Sequence, residues 1–155
     1  MNFVNLFISP SGRINRAKFW IVVLSCVVFF IAVIGVTMAV SSSLDTMFRT
    51  ALIAYIPMIY VGVVSAIKRL HDRNKTGWWV VLFYGAPLVL PLVAAVLPGG
   101  AETSVGLLLL QLVSLIISIW ALVELGCLKG TIGQNKYGPD PLAPDVLTPP
   151  VRTHA

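Results

Sequence analysis

The stretch FWIVVLSCVVFFIAVIGVTMAV, Phe19 to Val40, runs for 22 residues without a charge. Its apolar residues fill the block continuously, with neither the two-residue period of a half-buried strand nor the 3.6-residue period of an amphipathic helix. As a helix rising ~1.5 Å per residue it would be about 33 Å long, enough to cross a hydrocarbon core of ~30 Å. Arg13, Arg16 and Lys18 precede it and small residues follow from Ala39 to Ser43. A secretory signal has similar flanks, but its apolar region is only ~7–15 residues. The block therefore reads as a membrane span.

Three similar blocks follow along the chain. Thr50 to Ile67 contains Pro57, Trp78 to Leu97 contains Pro87 and Pro91, and Gly106 to Leu128 is interrupted only by Glu124. Prolines are tolerated inside membrane helices because neighbouring groups re-satisfy the freed carbonyls. They are read here as static kinks, with hinges as the alternative. Of the 155 residues, 57% are hydrophobic and 11% charged, whereas a soluble domain carries roughly 25% charged residues. The expected fold class is all-α: an integral membrane bundle of four transmembrane helices, with spans at about 19–40, 50–67, 78–97 and 106–128. Small residues four apart, Gly35/Ala39, Gly62/Ala66, Ser114/Ser118 and Gly126/Gly130, would let helices approach closely in lipid.

Lys and Arg are distributed unevenly around these blocks. Arg13, Arg16 and Lys18 lie ahead of the first, Lys68, Arg69, Arg73 and Lys75 between the second and third, and Lys129, Lys136 and Arg152 after the last. Arg49 alone falls in the two other loops. Positive residues are retained on the cytoplasmic side, so the N- and C-termini and the middle loop are expected to be cytoplasmic. The formal charge of +5 then signifies attraction to membrane lipids with anionic headgroups. No stripe or fold for nucleic acid remains once the spans are set aside.

Residues 1–18 form a cytoplasmic N-terminal segment, in which Phe3, Leu6 and Phe7 at i, i+3 and i+4 suggest a short interfacial helix. Residues 129–141 are a glycine-rich turn segment, and the proline-rich residues 142–155 are expected to be disordered. Cys26 and Cys127 lie inside apolar blocks and read as packing residues. No Cys or His spacing supports a metal, and no cofactor is expected.

Three polar segments stand out. In IKRLHDRNKTGWW, Ile67 to Trp79, the cations hold the loop in the cytoplasm and Trp78 and Trp79 anchor a helix at headgroup depth. Thr76 and Gly77 suit a turn and cap. His71 and Asp72 resemble half of an acid–base or metal site. The alternative has Asp72 pairing with Arg69 or Arg73 and His71 capping the second helix. In SGRINRAKFW, Arg13, Arg16 and Trp20 would share a helical face, with arginine forks able to hold phosphate. In KGTIGQNKYGPDP, Lys129 to Pro141, the glycines permit tight turns, and Asn135, Tyr137 and Asp140 add specific polar chemistry. Glu124 is the intramembrane acid, a functional candidate by default, with Lys129 or Arg69 as expected partners.

Taken together, GRINRAKFW, KRLHDRNKTGWW and GTIGQNKYGPDP resemble the signatures of a bacterial inner-membrane family catalogued as a domain of unknown function, number eight hundred and five. The resemblance spans roughly residues 12 to 141. It implies a small multi-pass inner-membrane protein without an established activity. Its marked positions fall on Gly12, Arg13, Arg16, Phe19, Trp20, Arg69, His71, Asp72, Gly77, Trp78, Trp79, Gly133, Asn135, Tyr137, Gly138 and Asp140. Family members commonly carry an acid immediately before the Phe-Trp pair, where this chain has Lys18.

The leading functional expectation is a non-enzymatic binding or scaffold protein. A cytoplasmic cluster of Arg13, Arg16, Arg69, His71, Asp72, Asn135, Tyr137 and Asp140 would lock the fold or hold an anionic headgroup. One alternative is transport of a small solute or ion by an oligomer, using the prolines and Glu124. The other is an interface enzyme using His71 and Asp72, for which no nucleophile or metal set is evident.

Overall fold

The computed structural model describes residues 6–96 and 104–143, and its regular structure is helical apart from one isolated antiparallel bridge, Asn135 to Gly138. Helix α1 is Arg16–Val40. It starts three residues before the apolar block because Asn15 caps it, its side chain accepting the Lys18 amide at 2.9 Å. Helix α2, Leu44–Asp72, is longer than the expected span at both ends. Ser43 is its N-cap, and Asp45 sits in the first turn, where the helix dipole favours an acid. Asp45 also pairs with Arg49 one turn on. Most of the expected outer loop is thus helix, and so is the first half of the expected basic loop.

The third apolar block does not form one regular span. A π-helical turn, Val81–Gly85, leads into α3, Ala86–Val96. Pro87 has no N–H for the Phe83 carbonyl and its ring crowds that oxygen, so the turn ahead of it widens. Helix α4, Ser104–Leu122, runs into a second π turn, Val123–Cys127, closed by the Leu128 N–H on the Val123 carbonyl at 3.1 Å. Among the described residues four long helices form, but only α1, α2 and the stretch Val105–Cys127 are long and apolar enough to cross a membrane. The apolar helix Val81–Val93 is shorter. Residues 97–103, most of the loop expected between the third and fourth blocks, lie outside the described residues. So do Phe3 and residues 144–155 of the tail.

Helix α1 packs along α2 and α3 along α4, giving two hairpins. The second π turn touches both α1 and α2 and joins the hairpins. Around that junction lies the core: Ile14, Phe19, Ala66, Leu70, Val80, Phe83 and Leu125. Ile14 and Phe19 lie just before and at the start of α1, Ala66 and Leu70 near the end of α2, Val80 and Phe83 just before and in the first π turn, and Leu125 in the second, so the core occupies one end of the bundle. Farther along, apolar side chains face outward, among them Val28, Ile53 and Leu112, as expected where lipid is the solvent.

The N-terminal segment folds onto this end. Leu6 packs against the core and Phe7 lines an apolar cavity with Cys26, Phe29 and Pro57. The Tyr60 hydroxyl donates to the Ile8 carbonyl at 2.8 Å, fastening the segment to α2. The face expected to rest on the leaflet therefore packs, in its described part, against the protein itself.

Among the small-residue pairs, Ala66 is fully buried in the core and Gly62 meets the Tyr84 ring. Gly126 meets the Trp20 ring and Gly35 meets nothing within 4 Å. Cys26 and Cys127 are free thiols, half-buried and exposed.

Candidate functional site

The three polar segments meet at the end of the bundle that holds the core, and their centre is Asp72, the last residue of α2. Its carboxylate takes the Arg13 guanidinium on Oδ1, at 3.1 Å from Nε and 3.0 Å from Nη2, and Arg69 Nη1 on Oδ2. The Asp72 side chain is only 4% exposed and those of Arg13 and Arg69 are 1% and 0%. A carboxylate so deeply buried must be paired, and two guanidinium groups supply the pairing. The Asp72 carbonyl accepts the Thr131 N–H at 2.8 Å and its hydroxyl at 3.0 Å, tying the glycine-rich segment to the end of α2.

Arg13 lies before α1, not on its face. Beyond Asp72 it donates to three carbonyls: Gly133 at 2.7 Å, Gly138 at 3.2 Å and Thr131 at 2.6 Å. Four of its five N–H donors make hydrogen bonds in this arrangement, and Nη2 also faces the Asp72 carboxylate as an ion pair. Gly133 and Gly138 present their oxygens from left-handed backbone, φ 76° and 134°, which glycine adopts at no steric cost. Gly130 is needed for another reason. A Cβ there would collide with the Asp72 carboxylate.

Arg69, Arg16 and Arg73, together with Trp20, cap the π turn that ends α4. A helix ends with carbonyls that lack an intrahelical donor, and these need partners where water is scarce. Arg69 Nε donates to Leu125 O at 2.8 Å and Nη2 to Leu128 O. Trp20 Nε1 donates to Gly126 O at 3.1 Å, Arg16 to Cys127 O at 3.0 Å, and Arg73 to Lys129 O at 2.9 Å. Arg16 and Trp20, one turn apart on α1, thus serve consecutive carbonyls. Positive charge at this terminus also complements the helix dipole.

Glu124, 3% exposed, pairs with neither Lys129 nor Arg69. Its Oε1 receives Arg73 Nε at 2.6 Å and Lys75 Nζ at 2.7 Å. Arg69 is already committed to Asp72, and the turn after α2 brings Arg73 and Lys75 around to α4. That turn depends on Asn74, whose φ of 58° lets the Lys75 N–H reach Leu70 O at 2.9 Å and the Asn74 N–H reach His71 O at 3.0 Å. These bonds form a Schellman ending, so His71 does not cap α2.

His71 and Asp72, adjacent in sequence, have separate partners. The His71 ring stacks on Tyr137 with centroids 3.8 Å apart and planes at 7°, and Nδ1 is 3.3 Å from Gly12 O. Asn135 donates to His71 O and to Thr131 Oγ1, both at 2.9 Å, and its Oδ1 accepts the Tyr137 N–H. Asp140 stands at the rim and accepts the amides of Gly133 and Leu142 at 2.9 Å each. Those two amide bonds hold its carboxyl below the usual carboxylate range. Among the described residues no group of three or more His, Cys, Asp or Glu gathers as a metal site.

A family described as "Protein of unknown function (DUF805)" matches residues 7–139. The chain belongs to the DUF805 family. "Uncharacterized protein YiiR" of Escherichia coli (strain K12) is 33% identical over 132 residues, 85% of each chain. "Inner membrane protein YhaI" of the same strain is 24% identical over 136 residues, 87% of each chain. No solved structure matches. This DUF805 chain is thus a homologue of an inner membrane protein and has three candidate transmembrane helices among its described residues.

The expected anchors of the DUF805 chain divide into two kinds. Trp78 is 80% exposed and faces outward. Trp79 instead packs edge-on against Trp120 of α4, centroids 5.4 Å apart, and lies beside Phe83, with the Lys75 ammonium 5.5 Å from its ring. Trp120, Thr131 and Lys75 belong to the site although nothing in the sequence marks them as partners, and Arg73, one of the two partners expected for Asp72, pairs with Glu124 instead. Trp120 and Thr131 would be noticed only as an aromatic near a span end and a hydroxyl beside a glycine. The carbonyls of residues 125–129 carry no side-chain signal at all.

Proposed function

We propose that the chain is a non-enzymatic scaffold or binding protein of the inner membrane, in which the knot around Asp72 locks two helical hairpins together at their cytoplasmic end. One observation carries this reading: the knot is closed. Among the described residues no buried side-chain nitrogen or oxygen lacks a hydrogen-bond partner. A site prepared for a ligand keeps polar groups converging on open space, whereas Arg13 and Arg69 spend their donors on one carboxylate and on backbone carbonyls. Placing this end in the cytoplasm follows from the ten Lys and Arg on that side against Arg49 alone on the other.

The alternatives draw less support. A transporter would use Glu124 as its acid, but two cations already neutralise it. An enzyme would use His71 with Asp72, yet each is held by other groups.

Thermal unfolding in detergent tests the lock. Asp72→Asn and Arg13→Gln are expected to lower Tm substantially, whereas Arg49→Gln lowers it only slightly. Knot variants with the wild-type Tm would remove this reading. A His71→Ala protein that keeps its Tm but loses the cellular role of the gene would favour the enzyme.

A further inference from the structure

Beside the knot, between the first turn of α1 and the glycine-rich segment, is a cavity of about 330 Å³. Two cations line it, Arg16 and Lys129, and both residues are exposed. Arg16 gives only Nη1 to the protein, on the Cys127 carbonyl at 3.0 Å. That bond holds the guanidinium at the end of the second π turn and leaves Nε and Nη2 over. Among the described residues neither of these nitrogens, nor Lys129 Nζ, has a hydrogen-bond or ion-pair partner. The knot is the reverse case, since its arginines are taken up by Asp72 and by backbone carbonyls.

Nε and Nη2 form one edge of the guanidinium. Their N–H groups run parallel and match two oxygens of a phosphate. Lys129 adds a compact ammonium on a flexible stem. Two carboxylates also stand in the wall, Asp72 and Asp140, but neither is open to a cation. Asp72 already holds Arg13 and Arg69, and Asp140 accepts the amides of Gly133 and Leu142. With Arg13 and Arg69 behind Asp72, the surroundings stay positive on balance. A headgroup that carries its own cation finds no acceptor here, whereas a net anion does find donors.

The rim points to the source of that anion. Ile132 and Leu142 line the same cavity and are 97% and 72% exposed. Two aliphatic side chains beside two cations, at the polar end of a membrane bundle, suit the boundary between headgroups and acyl chains. We infer that this cavity binds the phosphodiester of an anionic phospholipid. The free edge of Arg16 and the Lys129 ammonium hold its oxygens, and Ile132 and Leu142 lie against its glycerol and upper acyl carbons. The site uses none of the Arg13 or Arg69 donors, so its failure leaves the lock reading standing.

The experiment uses the full chain, purified in detergent and in nanodiscs. Native mass spectrometry compares retention of phosphatidylglycerol with that of phosphatidylcholine. The wild type is expected to prefer phosphatidylglycerol. Loss of one charge-assisted bond should lower that preference about tenfold in Arg16→Gln and in Lys129→Gln, and Arg49→Gln should leave it unchanged. Ile132→Ser should weaken retention as well, because the rim belongs to the lipid site. Arg16→Gln also removes the partner of the Cys127 carbonyl and can loosen the end of α4; Lys129→Gln, an exposed side chain without a partner, then decides alone. Equal retention of the two lipids by the wild type overturns the inference, and so does a folded Lys129→Gln protein with the wild-type preference. Thermal unfolding with inorganic phosphate against chloride at equal ionic strength is the second arm. Stabilisation by phosphate that Lys129→Gln abolishes, without any lipid preference, overturns the lipid in favour of a free anion.

Discussion

The two ends of this bundle are held by different physics. At the polar end three distant segments converge, the core is there, and buried charges are paired. Toward the other end the helices present Val28, Ile53 and Leu112 to their surroundings and lean on their hairpin partners. In lipid there is no hydrophobic drive between apolar helices, so association rests on packing and on polar contacts. A carboxylate, several guanidinium groups and a row of helix-end carbonyls give the polar end directional bonds that apolar stripes lack. The comparison teaches that the apolar spans place the chain in the membrane, and the polar end decides how its hairpins are arranged.

The largest effect expected is from Asp72→Ala. It leaves Arg13 and Arg69 buried without their carboxylate, and breaking a buried pair from one side costs about 3–5 kcal/mol. Unfolding in mixed micelles measures it; a loss under ~1 kcal/mol would break the comparison. Next is Gly130→Ala, where the new methyl meets the Asp72 carboxylate. Overpacking of this kind costs about 1–3 kcal/mol. The matched change Gly35→Ala, with nothing within 4 Å, should show no such loss, and equal effects at the two glycines would count against a polar end that is specially tight. Third is Trp20→Phe, which keeps the ring and removes the donor to Gly126 O. An unpaired carbonyl is worth about 1–3 kcal/mol, so a loss near the lower limit is expected by the same assay. The smallest effect belongs to the far end: Arg49→Gln removes an exposed pair whose side chains are 74% and 67% exposed. Such i,i+4 pairs contribute about 0.3–0.5 kcal/mol, and a larger loss would show that this end, too, is held by charge.

Much of the architecture could be read from the residues. Phe19 to Val40 becomes the body of α1, and the described residues of all four apolar blocks are largely helix, the third with a shorter apolar helix among the described residues than the other spans. Pro87 accounts for the π turn that interrupts the third block, because the missing donor lies just past that turn. The three signature segments that mark the family also supply the knot. Their partners were harder to read. Arg69 and Lys68 look like loop residues by charge, yet both are fully buried in α2. Glu124 looks like a partner for the nearby Lys129, but the left-handed Asn74 turns Arg73 and Lys75 toward it instead.

By itself the sequence determined the solvent and set an expectation of orientation. Blocks without charge belong in lipid, and an asymmetric set of cations predicts which ends stay behind, because both effects are sums over local composition. Only the tertiary structure decided which charge meets which group. Arg13 reaches Asp72 across 59 positions and Gly133 across 120, and many of the acceptors are backbone carbonyls, which every residue possesses and no side chain announces. Those pairings exist because burying a cation or a helix end in a poorly solvated place demands a specific partner, and the identity of that partner is set by the fold.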